Sequence, residues 1–177
     1  MSGPTLRTAR DRDVGAVQEI YGHHVRHGTA SFELTPPDIE EMACRMAAAG
    51  ERGLPYVVAE LDATVVGFAA LGPYRPRPAY RWTVEDTVYV APHALGRGIG
   101  RSLLDELIDR AGSAGYRQMI AVIGDSANAA SIALHAGAGF ARVGVLTDIG
   151  FKHGRWLDSV LMQRALGPGA ATPPESL

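Results

Sequence analysis

Glu85 and Asp86 lie side by side just ahead of a loop with glycine at every second position, Gly96-Arg97-Gly98-Ile99-Gly100-Arg101. A carboxylate so placed can take a proton from an attacking nucleophile. Alternating glycines leave backbone N–H groups uncovered, and a helix starting there adds the positive end of its dipole. Such a loop is a ready anion site, and Arg97 and Arg101 add full charge. Further on, Asn128, Ser131 and His135 are spaced by three and four, so on a helix they share one face. Histidine titrates near neutral pH and makes a second acid or base. Arg75, Arg77 and Arg81 sit among Tyr74, Pro76, Tyr80 and Trp82 in a proline-stiffened stretch. Arginine holds carboxylates and other oxyanions through paired hydrogen bonds. Together these residues describe proton transfer beside a phosphate-bearing ligand, with a second oxyanion held by arginine.

The elements that must position them can be read from periodicity. Thr83 to Ala91 reads as the strand before the glycine loop and Arg101 to Ala111 as the helix after it. Met119 to Ile123 is a further strand, Ala127 to Ala138 a helix, and Val143 to Leu146 and Trp156 to Met162 late strands around a turn at Lys152-His153-Gly154. Upstream, a strand at Leu6 to Ala9 precedes a helix carrying Val14, Val17, Ile20, Tyr21 and His24, with Asp11 or Asp13 as its N-cap. Pro36-Pro37-Asp38 opens a second helix, and Tyr56 to Glu60 and Val65 to Leu71 form a hairpin turning at Asp62-Ala63-Thr64. Interleaved helices and strands with a hairpin near the front predict an α/β (α+β) fold, a mixed, mostly antiparallel sheet flanked by helices. Residues 1–166 are read as a single domain, and Gly167 to Leu177, rich in glycine, alanine and proline, as a disordered tail.

Composition excludes several classes of function. The 177 residues carry 17 basic and 19 acidic side chains, a formal net charge of −2, which argues against nucleic acid as partner. Lys152 is the only lysine and Cys44 the only cysteine, so no disulfide framework or cysteine-rich metal site is expected. His23, His24, His27 and His153 lack ligand spacing, and no metal is expected. No apolar run is long enough for a membrane span, and the first residues lack the apolar core of a signal peptide. A cytoplasmic location is the expectation.

Three phosphate ligands compete for the loop. A dinucleotide site needs a small residue where Arg101 stands. A nucleotide P-loop needs a Gly-Lys-Ser/Thr ending, which is absent. A coenzyme A pyrophosphate, wrapped by successive amides and a helix N-terminus, meets no such obstacle.

Leu95-Gly96-Arg97-Gly98-Ile99-Gly100 resembles the acetyl-CoA loop of the GNAT superfamily of N-acetyltransferases, Gln/Arg-x-x-Gly-x-Gly/Ala, with Leu95 where glutamine or arginine is usual. Asn128-Ala-Ala-Ser131-Ile-Ala-Leu-His135-Ala-Gly-Ala-Gly139-Phe140 resembles the family's Asn-x-x-Ala/Ser-x-x-x-Tyr-x-x-x-Gly-Phe segment. Histidine in place of that tyrosine, with Thr29-Ala30-Ser31-Phe32-Glu33, Gly72 to Val90 and Gly150-Phe151-Lys152-His153-Gly154-Arg155-Trp156, is similar to the phosphinothricin and methionine sulfoximine acetyltransferases. The resemblance implies acetyl-CoA held by Val88, Tyr89, Val90, Gly96, Arg97, Gly98, Ile99, Gly100, Arg101, Asn128 and Ser131. It implies Glu85 and His135 as proton-transfer groups and the Val90 N–H as the donor to the thioester oxygen. A small amino acid would be met by Phe32, Tyr74, Arg75, Pro76, Arg77, Tyr80, Glu85, Asp86 and Thr87. Neighbouring strand residues face opposite ways, so only one of Glu85 and Asp86 is expected in the site. The family further implies a homodimer acting on a small-molecule amine. An acetyltransferase for a polyamine or protein N-terminus, and a non-catalytic acyl-CoA binding domain, are the alternatives.

Overall fold

Two tight hairpin turns set the frame of the sheet. Asp62 and Ala63 (φ 49° and 60°) join β2 (Tyr56–Leu61) to β3 (Thr64–Pro73), and His153 and Gly154 (φ 49° and 74°) join β6 (Ala141–Lys152) to β7 (Arg155–Ala165). Two successive left-handed residues give the turn whose twist matches that of the flanking strands. The computed structural model describes residues 3–174. Its other elements are β1 (Thr5–Thr8), α1 (Val14–His27), α2 (Ile39–Glu51), β4 (Thr83–Val90), α3 (Ile99–Ser113), β5 (Gln118–Gly124) and α4 (Ala129–Gly137). The strands form one sheet of seven in the order β1-β2-β3-β4-β5-β7-β6. Every pairing is antiparallel except β4 with β5, so the predicted mixed, mostly antiparallel sheet is the one observed.

Strand alternation decides which helix meets which face. On β3, Phe68 points to Tyr21 of α1, while a Cβ on its neighbour Gly67 would lie 3.1 Å from Leu103 of α3. Hence α1 lies on one face and α3 on the other. The core runs through the sheet, with Val57, Val58, Phe68, Leu103, Leu104, Leu107 and Met119 all buried. At roughly 1.5–3 kcal/mol per buried side chain, this packing holds the strands whose ends build the site.

Three local expectations are corrected. Neither Asp11 nor Asp13 caps α1 with its side chain; Asp13 is buried and accepts from Arg7 and the Arg10 N–H instead. The guanidinium holds the Asp13 carboxyl below the usual range, a stronger partner than a helix amide. Lys152 closes β6 as a buried side chain rather than standing in the turn. Residues 167–174, expected to be disordered, hold two turns, and Arg117 donates to the Gly169 and Pro173 carbonyls and to Thr172 Oγ1. Residues 175–177 of that tail lie outside the described residues. Among the described residues, no helix is long and apolar enough to cross a membrane.

Candidate active site

The parallel pair β4–β5 is short. Thr83, Val84 and Glu85 pair with Gln118, Met119 and Ile120, and then the strands part. Bonds from Ala91 N–H to Val66 (2.8 Å) and from Tyr74 N–H to Thr83 (3.4 Å) set the phase of β4, so its odd-numbered residues bond to β3. Asp86, Val88 and Val90 therefore turn their peptide groups toward β5, which has moved away from Val88 and Val90. The Val90 carbonyl is taken by His24 Nε2–H of α1 at 2.8 Å. The amides of Val88 and Val90 face the gap, where an extended ligand can pair with them as a strand would. Val88 is three residues from Glu85 and Val90 five, about 10 and 16 Å along a strand, so Val88 is the amide nearer the carboxylate.

A cavity of about 530 Å³ runs through this gap from one face of the sheet to the other. For that reason both Glu85 and Asp86 line it, contrary to expectation. They do face opposite ways. Glu85 shares its face with Tyr89, whose ring packs on Tyr21 and His24 of α1, whereas Asp86 meets α4 on the other. Burial pushes the Glu85 carboxyl above its ordinary range; the Asp86 charge adds to this and Arg75 opposes it. At the glycine loop, Gly96 and Gly98 adopt φ 73° and 77°, where a Cβ would be strained, and neither has an atom within 4 Å of that Cβ. Gly98 is the N-cap of α3, so the helix amides open onto an uncovered cradle. Ile99 is buried beneath it, and a Cβ on Gly100 would touch Leu134 and Val90. Arg97 is exposed. Arg101 is committed elsewhere, to Asp105 and the Gly137 carbonyl at 2.8 Å, so it ties α3 to α4 rather than projecting into the loop.

Helix α4 brings its predicted face to the cavity. Asn128 caps it, accepting from the Ser131 N–H at 3.2 Å, and Asn128, Ser131 and His135 all line the gap. His135 has both nitrogens engaged: Nδ1–H donates to the Ser131 carbonyl at 2.7 Å, and Nε2 faces Asp86 Oδ2 at 2.9 Å. Burial opposes a charge on this ring, but the hydrogen bond and charge of Asp86 outweigh it and the pKa is raised.

On the other face the cavity is walled by the loop after α1. Phe32, Ser31 and Thr87 line it. Ser31 Oγ pairs with Tyr21 Oη at 2.9 Å, and the Ser31 carbonyl accepts from Lys152 Nζ at 2.7 Å. Thr29 Oγ1 donates to Asp125, and His153 donates to the Gly28 carbonyl. The Phe32 ring rests on two glycines: a Cβ on Gly150 would fall 2.6 Å from its Cδ2, and one on Gly124 3.0 Å from its Cε1.

The arginine-rich loop does not line the cavity, although the Arg75 charge acts on Glu85 within it. Tyr74, Arg75, Pro76, Arg77, Tyr80 and Arg81 are all outside the cavity lining. This loop leaves the sheet beyond Pro73 and re-enters at Thr83, and its cations lie on their own aromatics, Arg75 over Tyr74 (5.2 Å) and Arg81 over Trp82 (5.4 Å). The arginine that does line the cavity is Arg45 of α2, braced by Glu33 and Glu41 at 2.7 and 2.8 Å. In sequence, Glu41 and Arg45 form an ordinary solvent-facing i,i+4 pair. The seats at Gly124 and Gly150 gave no sequence signal, because a close approach between distant segments leaves none.

Comparison with known proteins agrees with this geometry. The acetyltransferase (GNAT) family matches residues 18–140. A phosphinothricin N-acetyltransferase of Alcaligenes faecalis is 55% identical over 97% of this chain and 87% of its own length. An L-methionine sulfoximine/L-methionine sulfone acetyltransferase of Salmonella typhimurium is 40% identical over 94% of this chain and 97% of its own. A GNAT phosphinothricin acetyltransferase of Sinorhizobium meliloti, solved in complex with acetyl-CoA, superposes with a TM-score of 0.96 at 47% identity, covering 99% of this chain and 95% of that one. Open strand amides, a glycine cradle at a helix N-terminus and a buried carboxylate beside them thus coincide with full-length likeness, and the chain belongs to the GNAT family of acetyltransferases.

Proposed function

We propose that the protein transfers the acetyl group of acetyl-CoA to the α-amine of a small polar amino acid of the phosphinothricin, methionine sulfoximine or methionine sulfone kind. Full-length likeness to enzymes named for these substrates supports the acceptor class. The single observation that carries the chemistry is the gap between β4 and β5, with Glu85 at its vertex and open amides along its edge. The cradle at Gly96 to Gly100 suits the diphosphate, the amides of Val88 and Val90 suit an extended amide-bearing arm, and Val88 suits the thioester oxygen. Glu85 takes one ammonium proton, with its raised pKa bringing it nearer to that of the amine. The nitrogen then bonds to the acetyl carbon as the carbon–sulfur bond breaks. The second proton lost by the nitrogen equals the one the sulfur needs, so the stoichiometry requires no separate acid. Phe32 and Arg45 are placed to meet the acceptor's side chain from the α1–α2 face.

The enzyme works in the cytoplasm as a homodimer in this reading. Phe151 and Trp156, edge to face at 5.3 Å, stand exposed at the end of the outer hairpin β6–β7, an apolar surface that a second copy would cover. Thiol release from acetyl-CoA, measured against methionine sulfoximine, methionine sulfone, phosphinothricin, polyamines and an amino-terminal peptide, tests the assignment. Turnover with the amino acid analogues is expected, and turnover with polyamine or peptide alone would displace it.

A further inference from the structure

Asp86 and His135 are buried, with side chains 3% and 5% exposed, yet both line the cavity and the proton balance above gives them no task. Their geometry fixes where protons can be. The Ser131 carbonyl has no hydrogen to give, so His135 Nδ1 must carry one. Across from Nε2 is Asp86 Oδ2 at 2.9 Å, and a single proton lies between them. The hydrogen bond and charge of Asp86 outweigh the burial of the ring and raise its pKa, so that proton stays on nitrogen. Asp86 Oδ1 has no hydrogen-bond partner, which leaves the imidazolium as the one group compensating this carboxylate. No other charge nearby competes for the ring. Glu85 lies on the opposite face of β4, Arg101 of α3 is bound to Asp105 and Gly137, and Arg164 of β7 donates to the Ala138 carbonyl. The remaining neighbour is the edge-on ring of Phe140, 5.1 Å away.

We infer that Asp86 is a positioning residue that locks His135 as a standing imidazolium with neither N–H free, so that the pair enters the acyl-transfer gap as a preset dipole and His135 moves no proton. This rests on the acetyl-transfer reading only for its consequence. A dipole already oriented requires no reorganisation as charge develops on the departing thiolate. A histidine that shuttled protons would need a nitrogen open to the cavity, and this one has none.

The wild-type enzyme itself decides the point. Side-chain ¹H–¹⁵N correlation spectra, with the His135 signals identified by their loss in H135Q, should show both nitrogens protonated at about pH 7.5, above the ordinary imidazole value of about 6.5. A neutral ring with bare Nε2 at about pH 7.5 overturns the proposal. In D86N the ring should turn neutral at that pH. Turnover should then fall about 10- to 100-fold while KM for acetyl-CoA stays within about twofold. Full turnover with a neutral ring would equally overturn it. Should the wild type acetylate none of the amines, the functional reading fails, but the spectra still judge the ion pair.

Discussion

Replacing Gly150 with alanine tests whether Phe32 is a seated wall of the acceptor site. The new Cβ would stand 2.6 Å from Phe32 Cδ2, 3.1 Å from Cζ and closer still to Cε2. Carbon atoms in contact prefer about 3.5–4.0 Å, so the ring must retreat by about 1 Å. It can do so, because Phe32 is 36% exposed and Gly150 does not need a left-handed backbone. The stability cost should be at the low end of the range for overpacking, about 1 kcal/mol. The displaced wall should raise KM for the acceptor several-fold and leave KM for acetyl-CoA unchanged. Gly124→Ala is the informative contrast. Its Cβ would press on backbone carbonyls, 2.9 Å from that of Ala30 and closer to that of Thr29, which cannot swing aside. The cost there should reach about 3 kcal/mol. Steady-state kinetics with each substrate varied, and urea midpoints for both variants, supply the readings. An unchanged acceptor KM in Gly150→Ala, or a milder loss in Gly124→Ala than in Gly150→Ala, refutes the seating argument.

Glu85→Gln should lower turnover by about 10²- to 10⁴-fold with KM for acetyl-CoA unchanged, and normal turnover would remove Glu85 from the mechanism. The acid limb of kcat/KM should have its midpoint above the ordinary glutamate value of 4.5, since the base must be ionised and its pKa is raised. Gly98→Val forces a branched side chain to φ 77° in the cradle, so KM for acetyl-CoA should rise at least tenfold; an unaltered value rules the cradle out. The His135 pKa is raised on folding, so its pairing stabilises fully below the unfolded value of about 6.5 and is lost as pH rises through the folded value. Thermal midpoints should therefore fall with rising pH above about 6.5 in the wild type and show less of this fall in Asp86→Asn; identical profiles would count against the pairing.

Much of the fold was legible because its signals are local. The alternating glycines before an apolar helical stretch mark a strand-loop-helix unit, and the Asp62-Ala63 and His153-Gly154 turns join strands recognisable by their β-branched and aromatic residues. The spacing of Asn128, Ser131 and His135 correctly placed all three on one face, because three and four residues return a helix to the same side. Misplacement began where a charge had to be assigned to a partner. Arg101 looked free beside the glycines and is spent on Asp105 and Gly137, while Arg45 looked like half of a surface pair and lines the cavity. A side chain's reach covers several neighbours, and only packing selects among them.

Residue order by itself determined the local order of strand, glycine cradle and helix, and with it the acyl-CoA donor implied by the resemblance, since that chemistry resides in consecutive amides. Tertiary structure decided which groups face the acceptor. The parting of β4 from β5 after Glu85 opens one cavity to both faces of the sheet, so two carboxylates that point apart both reach it. The same packing binds His135 to Asp86 across 49 residues and rests Phe32 on two distant glycines. Those contacts depend on where strands diverge and helices land, a balance of burial over the whole core that no short stretch of sequence contains.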